Sequence, residues 1–93
     1  MSTDLLNPLL ERPLALHPQV ALRPEPFGAL AYHYGNRRLV FLQHTDMVAV
    51  ARALAEHATL ADALDACGIH RRRWPSFTKA IESLMKSEII VER

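Results

Sequence analysis

Three observations in the sequence predict an α+β fold, a three-stranded antiparallel sheet followed by three helices. Apolar residues alternate with a period of two as far as Leu42, then recur with a period of about 3.6 from Thr45 onward. Gly35-Asn36 sits between two apolar runs, the signature of a hairpin turn. Pro8, Pro13, Pro18, Pro24 and Pro26 all precede the hairpin, where proline's fixed φ and its effect on the preceding residue keep the chain out of helix.

Residues 1–16 read as an N-terminal arm and 17–93 as the domain proper. The arm is rich in proline, yet it also carries Leu5, Leu6, Leu9, Leu10, Leu14 and Leu16, more leucine than a solvated tail holds. It fits a segment laid over the domain's own core; the other reading is an arm that docks on a partner or on a second copy, giving a homodimer. A first strand is expected over 19–23, with Val20 and Leu22 on one face. Residues 27–34 and 37–42 should form the hairpin around a two-residue Gly-Asn turn that needs positive φ. That turn places Tyr34 opposite Arg37, Tyr32 opposite Leu39 and Leu30 opposite Phe41. The bulkier set, Leu30, Tyr32, Leu39 and Phe41, is assigned to the core. The opposite face, Ala29, Ala31, His33, Arg38, Val40 and Leu42, is still partly apolar, so both sides of the sheet can be covered locally.

Met47, Val50, Ala51 and Leu54 make the stripe of a first helix starting at Thr45 or Asp46. Thr59 and Asp62 resemble a capping box ahead of a short second helix with Leu60, Ala63, Leu64 and Cys67 on its buried side. Gly68 stands where a helix end wants positive φ. Pro75 opens a third helix in its first turn, with Phe77, Ala80, Ile81, Leu84 and Met85 as its stripe. Ile89, Ile90 and Val91 read as a short extended segment.

Composition narrows the function. Ninety-three residues, 49% of them apolar, suit one small domain. A chain of that size has no room for a deep, self-sufficient substrate pocket. Eleven Lys+Arg against ten Asp+Glu leave a net charge of +1, too balanced for a protein that coats nucleic acid. With only 3 Gly and half the residues apolar, general disorder is disfavoured. Cys67 is the single cysteine, which excludes an internal disulfide and a cysteine-based zinc site. The start Met1-Ser2-Thr3-Asp4 has no secretory signal character, and no apolar run nears the roughly 20 residues of a membrane helix, so a cytoplasmic location without membrane contact is expected.

No arrangement of chemistry-bearing residues points to catalysis. His17, His33, His44, His57 and His70 form no spaced pair and have no carboxylate cluster beside them, so scattered structural or surface histidines are the better reading. Nucleophile elbows, phosphate loops and paired carboxylates are missing, so no enzyme and no cofactor are expected. Arg71-Arg72-Arg73-Trp74, ahead of the third helix, has three readings. It can be the approach to a helix-turn-helix recognition helix, a solvated basic cap, or a site that attracts an acidic peptide. Near-neutral net charge counts against DNA, for which about six to ten phosphate contacts are wanted.

The sheet itself carries the stronger signal. Three strands leave two open edges, and the strand at 37–42 has one evident partner, so its far edge is free to accept a strand from another chain. Arg37 and Arg38 also fit as gatekeepers against aggregation there. Four or five ladder bonds contribute about 0.5–1.5 kcal/mol each, short of the ~8 kcal/mol of micromolar binding. The rest must come from apolar anchors in a groove beside the strand, walled by the third helix.

Residues 17–30 (His17-Pro18-Gln19-Val20-Ala21-Leu22-Arg23-Pro24-Glu25-Pro26-Phe27-Gly28-Ala29-Leu30), with Tyr32-His33-Tyr34-Gly35 and Arg37-Arg38-Leu39-Val40-Phe41-Leu42, resemble the mycofactocin biosynthesis chaperones. These are PqqD-like recognition elements for ribosomally made, post-translationally modified peptides. The resemblance spans about residues 17–91 and is specific over 17–42. It implies a winged helix-turn-helix-like fold that binds peptide rather than DNA, the DNA-binding winged helix being the rival. It further implies that the leader of a precursor peptide adds as a strand beside the third strand, in a cleft also lined by the third helix. The peptide would then pass to a radical S-adenosylmethionine maturase acting on a C-terminal Val-Tyr, with no chemistry and no cofactor in this chain. The implied peptide-binding residues are Arg37, Arg38, Leu39, Val40, Phe41 and Leu42 on the receiving edge, with Arg73, Phe77, Ala80 and Leu84 on the cleft wall. Residues 1–16 lie outside the shared pattern. The run Arg71-Arg72-Arg73-Trp74-Pro75 is more basic than in many relatives, which fits either an acidic leader or a solvated turn.

Overall fold

The change of period at residues 42–45 is where strands give way to helices. The computed structural model describes residues 7–93. A 3-10 turn at Pro8–Glu11 leads into β1 (Leu14–Leu16), β2 (Val20–Glu25), β3 (Gly28–His33) and β4 (Leu39–Leu42). Then come α1 (Thr45–Ala53), a 3-10 turn at Leu54–Glu56, α2 (Leu60–Ala66), a 3-10 turn at Arg71–Arg73, α3 (Trp74–Lys86) and β5 (Ile90–Glu92). Strands β2, β3 and β4 form one antiparallel sheet in that order, so the fold is α+β with the three-stranded sheet ahead of the helices.

Two short strands add a second sheet. β1 pairs antiparallel with β5, Ala15 opposite Val91. Each is three residues long, too short for alternation to announce it. Leu10 and Leu14 are buried in the common core, with Leu9 and Leu16 packed against it. This part of the leucine-rich stretch therefore covers the chain's own interior, while Leu5 and Leu6 lie outside the described residues. The Arg12–Glu92 ion pair and the Arg93 N–H, donating to the Pro13 carbonyl at 2.7 Å, hold the two ends together.

The hairpin register is the expected one, with Tyr32 opposite Leu39 and Leu30 opposite Phe41. The assignment of faces is reversed. Ala29, Ala31, His33 and Leu42 are buried, whereas Leu39 is 58% and Phe41 55% exposed. Small side chains on the inner face let α1 lie close against β3, and the helices supply the bulk: Met47 and Val50 from α1, Trp74, Phe77, Ile81 and Leu84 from α3. Leucine or tyrosine at 29 or 31 would hold the helix off.

The turn is also wider than two residues. Arg37 N–H donates to the His33 carbonyl at 2.7 Å and His33 N–H to the Arg38 carbonyl at 2.9 Å, leaving residues 34–37 in the loop. Positive φ falls on Arg37 (63°), not on Gly35 or Asn36. The buried His33 imidazole organises the loop from inside, its Nδ1 accepting from the backbone N–H groups of Gly35 (2.9 Å) and Asn36 (3.1 Å). A symmetric loop of four keeps the same pairing as a loop of two, which is why the register is unaffected. Strand β4 starts only at Leu39; Arg37 lies in the loop, and Arg38 closes it through its bond with His33. At the other hairpin Gly28 is obligatory: its φ is +153°, and a Cβ there would collide with the Leu42 carbonyl oxygen.

The helices follow their stripes. Thr59 Oγ accepts from Asp62 N–H at 3.1 Å and caps α2, which ends with Gly68 at φ 71°. Ile69 N–H to Leu64 carbonyl and Gly68 N–H to Asp65 carbonyl, both 3.0 Å, close that end. Helix α3 ends through the same pair of bonds at Ile89 and Glu88, with Glu88 at φ 60°. Its start is fixed by buried Trp74, whose indole N–H donates to the Ile69 carbonyl at 2.9 Å.

Candidate functional site: an open strand edge beside a helix

Hydrogen-bond parity decides which β4 groups are free. His33 donates to Arg38, so the paired positions on β4 are 38, 40 and 42, opposite 33, 31 and 29. The N–H and C=O groups of Leu39 and Phe41, and of Gln43 just beyond, point away from β3. β4 is an edge of its sheet, with no strand beside those groups among the described residues.

That edge borders a cleft of about 430 Å³. Val40, Phe41 and Leu42 form one side, and Phe77, Ala80 and Leu84 of α3 the other. Met47 of α1 and the Gln43-His44 connection also line it, together with Ser76, Ser83 and Arg73 on the helical side. The lining is chiefly apolar, and Arg73 carries its one full charge. The guanidinium lies 5.2 Å from the centre of the Phe77 ring and pairs with Asp46, Nη1 to Oδ2 at 3.0 Å. Both partners are about half exposed.

Seven of the ten expected residues thus border a single cleft: Val40, Phe41, Leu42, Arg73, Phe77, Ala80 and Leu84. Arg37, Arg38 and Leu39 lie outside its lining, the arginines at the turn and Leu39 with its side chain on the outer face. Sequence reasoning missed Gln43, His44, Met47, Ser76 and Ser83. Ser76 and Ser83 were accessible to it, because with Arg73 and Ala80 they continue a helical row at spacings of three and four. Met47 had been absorbed into the core stripe of α1.

Two of the three arginines ahead of α3 have a side-chain partner. Arg71 lies over the Trp74 ring at 4.9 Å, and Arg73 is held by Asp46. Cys67 is half-buried, and burial first and the Asp46 charge second push its thiol pKa up, away from a reactive thiolate. Among the described residues no group of three or more His, Cys, Asp or Glu could hold a metal ion, and no helix is long and apolar enough to cross a membrane.

The outer face of the sheet is apolar and open. Phe27, Tyr34, Leu39 and Phe41 are all exposed, with Phe27 against Phe41 (ring centres 5.6 Å apart) and Tyr32 edge-on to Tyr34 (4.9 Å).

Comparison with known proteins finds relatives of the chain. The peptide chaperone MftB family matches residues 13–91. The chain is 42% identical over 81 residues to the peptide chaperone MftB of Mycobacterium ulcerans, covering 87% of this chain and 74% of that protein. It is 43% identical over 76 residues to the peptide chaperone MftB of Mycolicibacterium smegmatis, covering 82% and 74%. Against the protein of the same name in Mycobacterium tuberculosis it is 40% identical over 83 residues, covering 89% and 76%. No solved structure matches the chain.

Proposed function

The chain belongs to the peptide chaperone MftB family, and on that premise we propose that it is a non-catalytic peptide chaperone of mycofactocin biosynthesis. It binds the leader of a precursor peptide as a strand added to the free edge of β4 and presents it to a radical S-adenosylmethionine maturase. The observation that carries the binding mode is the coincidence of an unpaired strand edge with an apolar cleft along the same strand. Leu39 and Phe41 together offer two donors and two acceptors, worth about 2–6 kcal/mol in all. Micromolar affinity needs about 8 kcal/mol, so side chains of the peptide buried between Val40 and Leu42 on one side and the Phe77-Ala80-Leu84 wall on the other supply the remainder. Backbone pairing then gives affinity, and the cleft gives selectivity. The handover to a maturase rests on the family resemblance.

Residue-resolved hydrogen exchange tests the binding mode. In the free protein the amides of Val40 and Leu42 are protected by β3, and those of Leu39, Phe41 and Gln43 exchange freely. Saturating precursor peptide is expected to slow the second set strongly and the first set little. Protection confined to α1, or to the outer edge of β2, would overturn strand addition at β4.

A further inference from the structure

With peptide in the β4–α3 cleft, the reading on which the following rests, the lining sets what that peptide must carry. An otherwise uncharged lining contains one cation, Arg73, held over the Phe77 ring, so its position is set by the cleft wall itself. Its partner Asp46 comes from a different element, the first turn of α1, and does not line the cleft. Both groups are half exposed, so the pair is weakly held and can exchange partners at little cost. A strand lying along β4 would bring its side chains past the guanidinium while Phe77 continues to support it.

We infer that Asp46 is a built-in competitor for the peptide: the cleft selects a segment bearing a carboxylate next to its apolar anchors, and that carboxylate displaces Asp46 from Arg73. The exchange replaces a half-exposed ion pair by one that the bound strand shields from solvent, so a peptide with the carboxylate gains more on entry than the loss of the Asp46 pair costs. A peptide lacking it either leaves Arg73 with Asp46 and forgoes the contact, or pushes the pair apart and leaves a cation against apolar surface. Arg71 and Arg72 add only diffuse attraction, which salt screens over about 10 Å at 0.1 M.

The test is a titration of the labelled precursor peptide, and of versions with each Asp or Glu changed in turn to Asn or Gln, against four proteins at 0.15 M salt. These are the unaltered chain, Asp46→Asn, Arg73→Gln and the double variant. Asp46→Asn is expected to tighten the unaltered peptide about two- to fivefold. Arg73→Gln is expected to weaken it by a similar factor, and Asp46→Asn on the Arg73→Gln background should do nothing. For one peptide position, removing the carboxylate should abolish the gain from Asp46→Asn. An equal gain for every peptide, a gain that persists without Arg73, or weaker binding by Asp46→Asn would each overturn the competitor role. Should Asp46→Asn loosen α1 in a thermal melt, Arg73→Gln reads the same pairing from the other side. Failure of the underlying cleft reading looks different: Ala80→Glu would then leave binding of every peptide intact.

Discussion

The two edges of the three-stranded sheet are built in opposite ways. At β2 the outward-facing positions are 20, 22 and 24, fixed by the bond from Tyr34 N–H to the Gln19 carbonyl. Val20 N–H is already bonded to the His17 carbonyl at 2.9 Å, Pro24 has no N–H to offer, and the Arg23–Glu25 ion pair flanks it. These are devices that stop a strand from adding. At β4 the outward positions 39 and 41 keep their donors, no proline interrupts them, and an apolar cleft runs alongside. A sheet with both edges blunted would be a scaffold. One blunted edge and one open edge beside a cleft leave a single side on which the proposed strand addition can occur.

The largest expected effect breaks that difference at β4. Leu39→Pro combined with Phe41→Pro removes both outward donors and leaves the ladder to β3 at 38, 40 and 42 in place. Peptide affinity should fall about thirtyfold or more, two ladder bonds at about 1 kcal/mol each plus the clash of the rings with an incoming strand. Circular dichroism should show the fold retained, because proline is tolerated at outward positions of an edge strand. Val40→Pro is the control: it removes a donor bound to β3, and the hairpin should unfold. Affinity unchanged in the double variant would mean that the peptide does not pair with β4.

Next in size is the cleft. Ala80 is half-buried and packs at the margin of the core, so Ala80→Glu can be borne by the fold while placing a charge where an apolar anchor should sit. Calorimetric titration should show about a tenfold loss of peptide affinity, with a melting temperature close to that of the unaltered chain. A variant that binds normally would leave the edge as the whole site, without anchors in the cleft.

Much of this contrast was legible in the residues, and the exceptions have physical causes. The register of the β3–β4 hairpin depends only on where the turn is centred, so Gly35-Asn36 gave it correctly even though the loop holds four residues. Which face of the hairpin is buried was not legible, because both faces are apolar. The rule that bulk goes inside failed at Leu30, Tyr32, Leu39 and Phe41, since close approach of α1 demands Ala29 and Ala31 beneath it. On the helical side period put Phe77, Ala80 and Leu84 on the apolar stripe of α3 and only the family resemblance put them on a cleft wall, whereas Gln43 and His44 belong to a connection with no period to read. The pairing of β1 with β5 joins residues more than seventy positions apart through three-residue strands, and local pattern carries no information at that distance.

The smallest expected effect concerns the blunted edge and sharpens the comparison by its near-absence. Pro24→Thr restores an outward N–H on β2 and replaces a poor strand residue with a good one. The change gives up proline's restriction of the unfolded chain, about 0.4–1 kcal/mol, against a gain in strand preference of similar size, so the melting temperature should move little. Peptide affinity by anisotropy should stay within about twofold, because among the described residues the apolar cleft borders β4 and not β2, which leaves β2 without the several kcal/mol that ladder bonds alone lack. What should change is self-association: sedimentation at high protein concentration should reveal weak dimers through the reopened edge, removed by adding Leu22→Pro, which takes away another outward donor without touching the ladder to β3. A Pro24→Thr chain that bound peptide markedly tighter would place the receiving edge at β2 and reverse the assignment of the two sides.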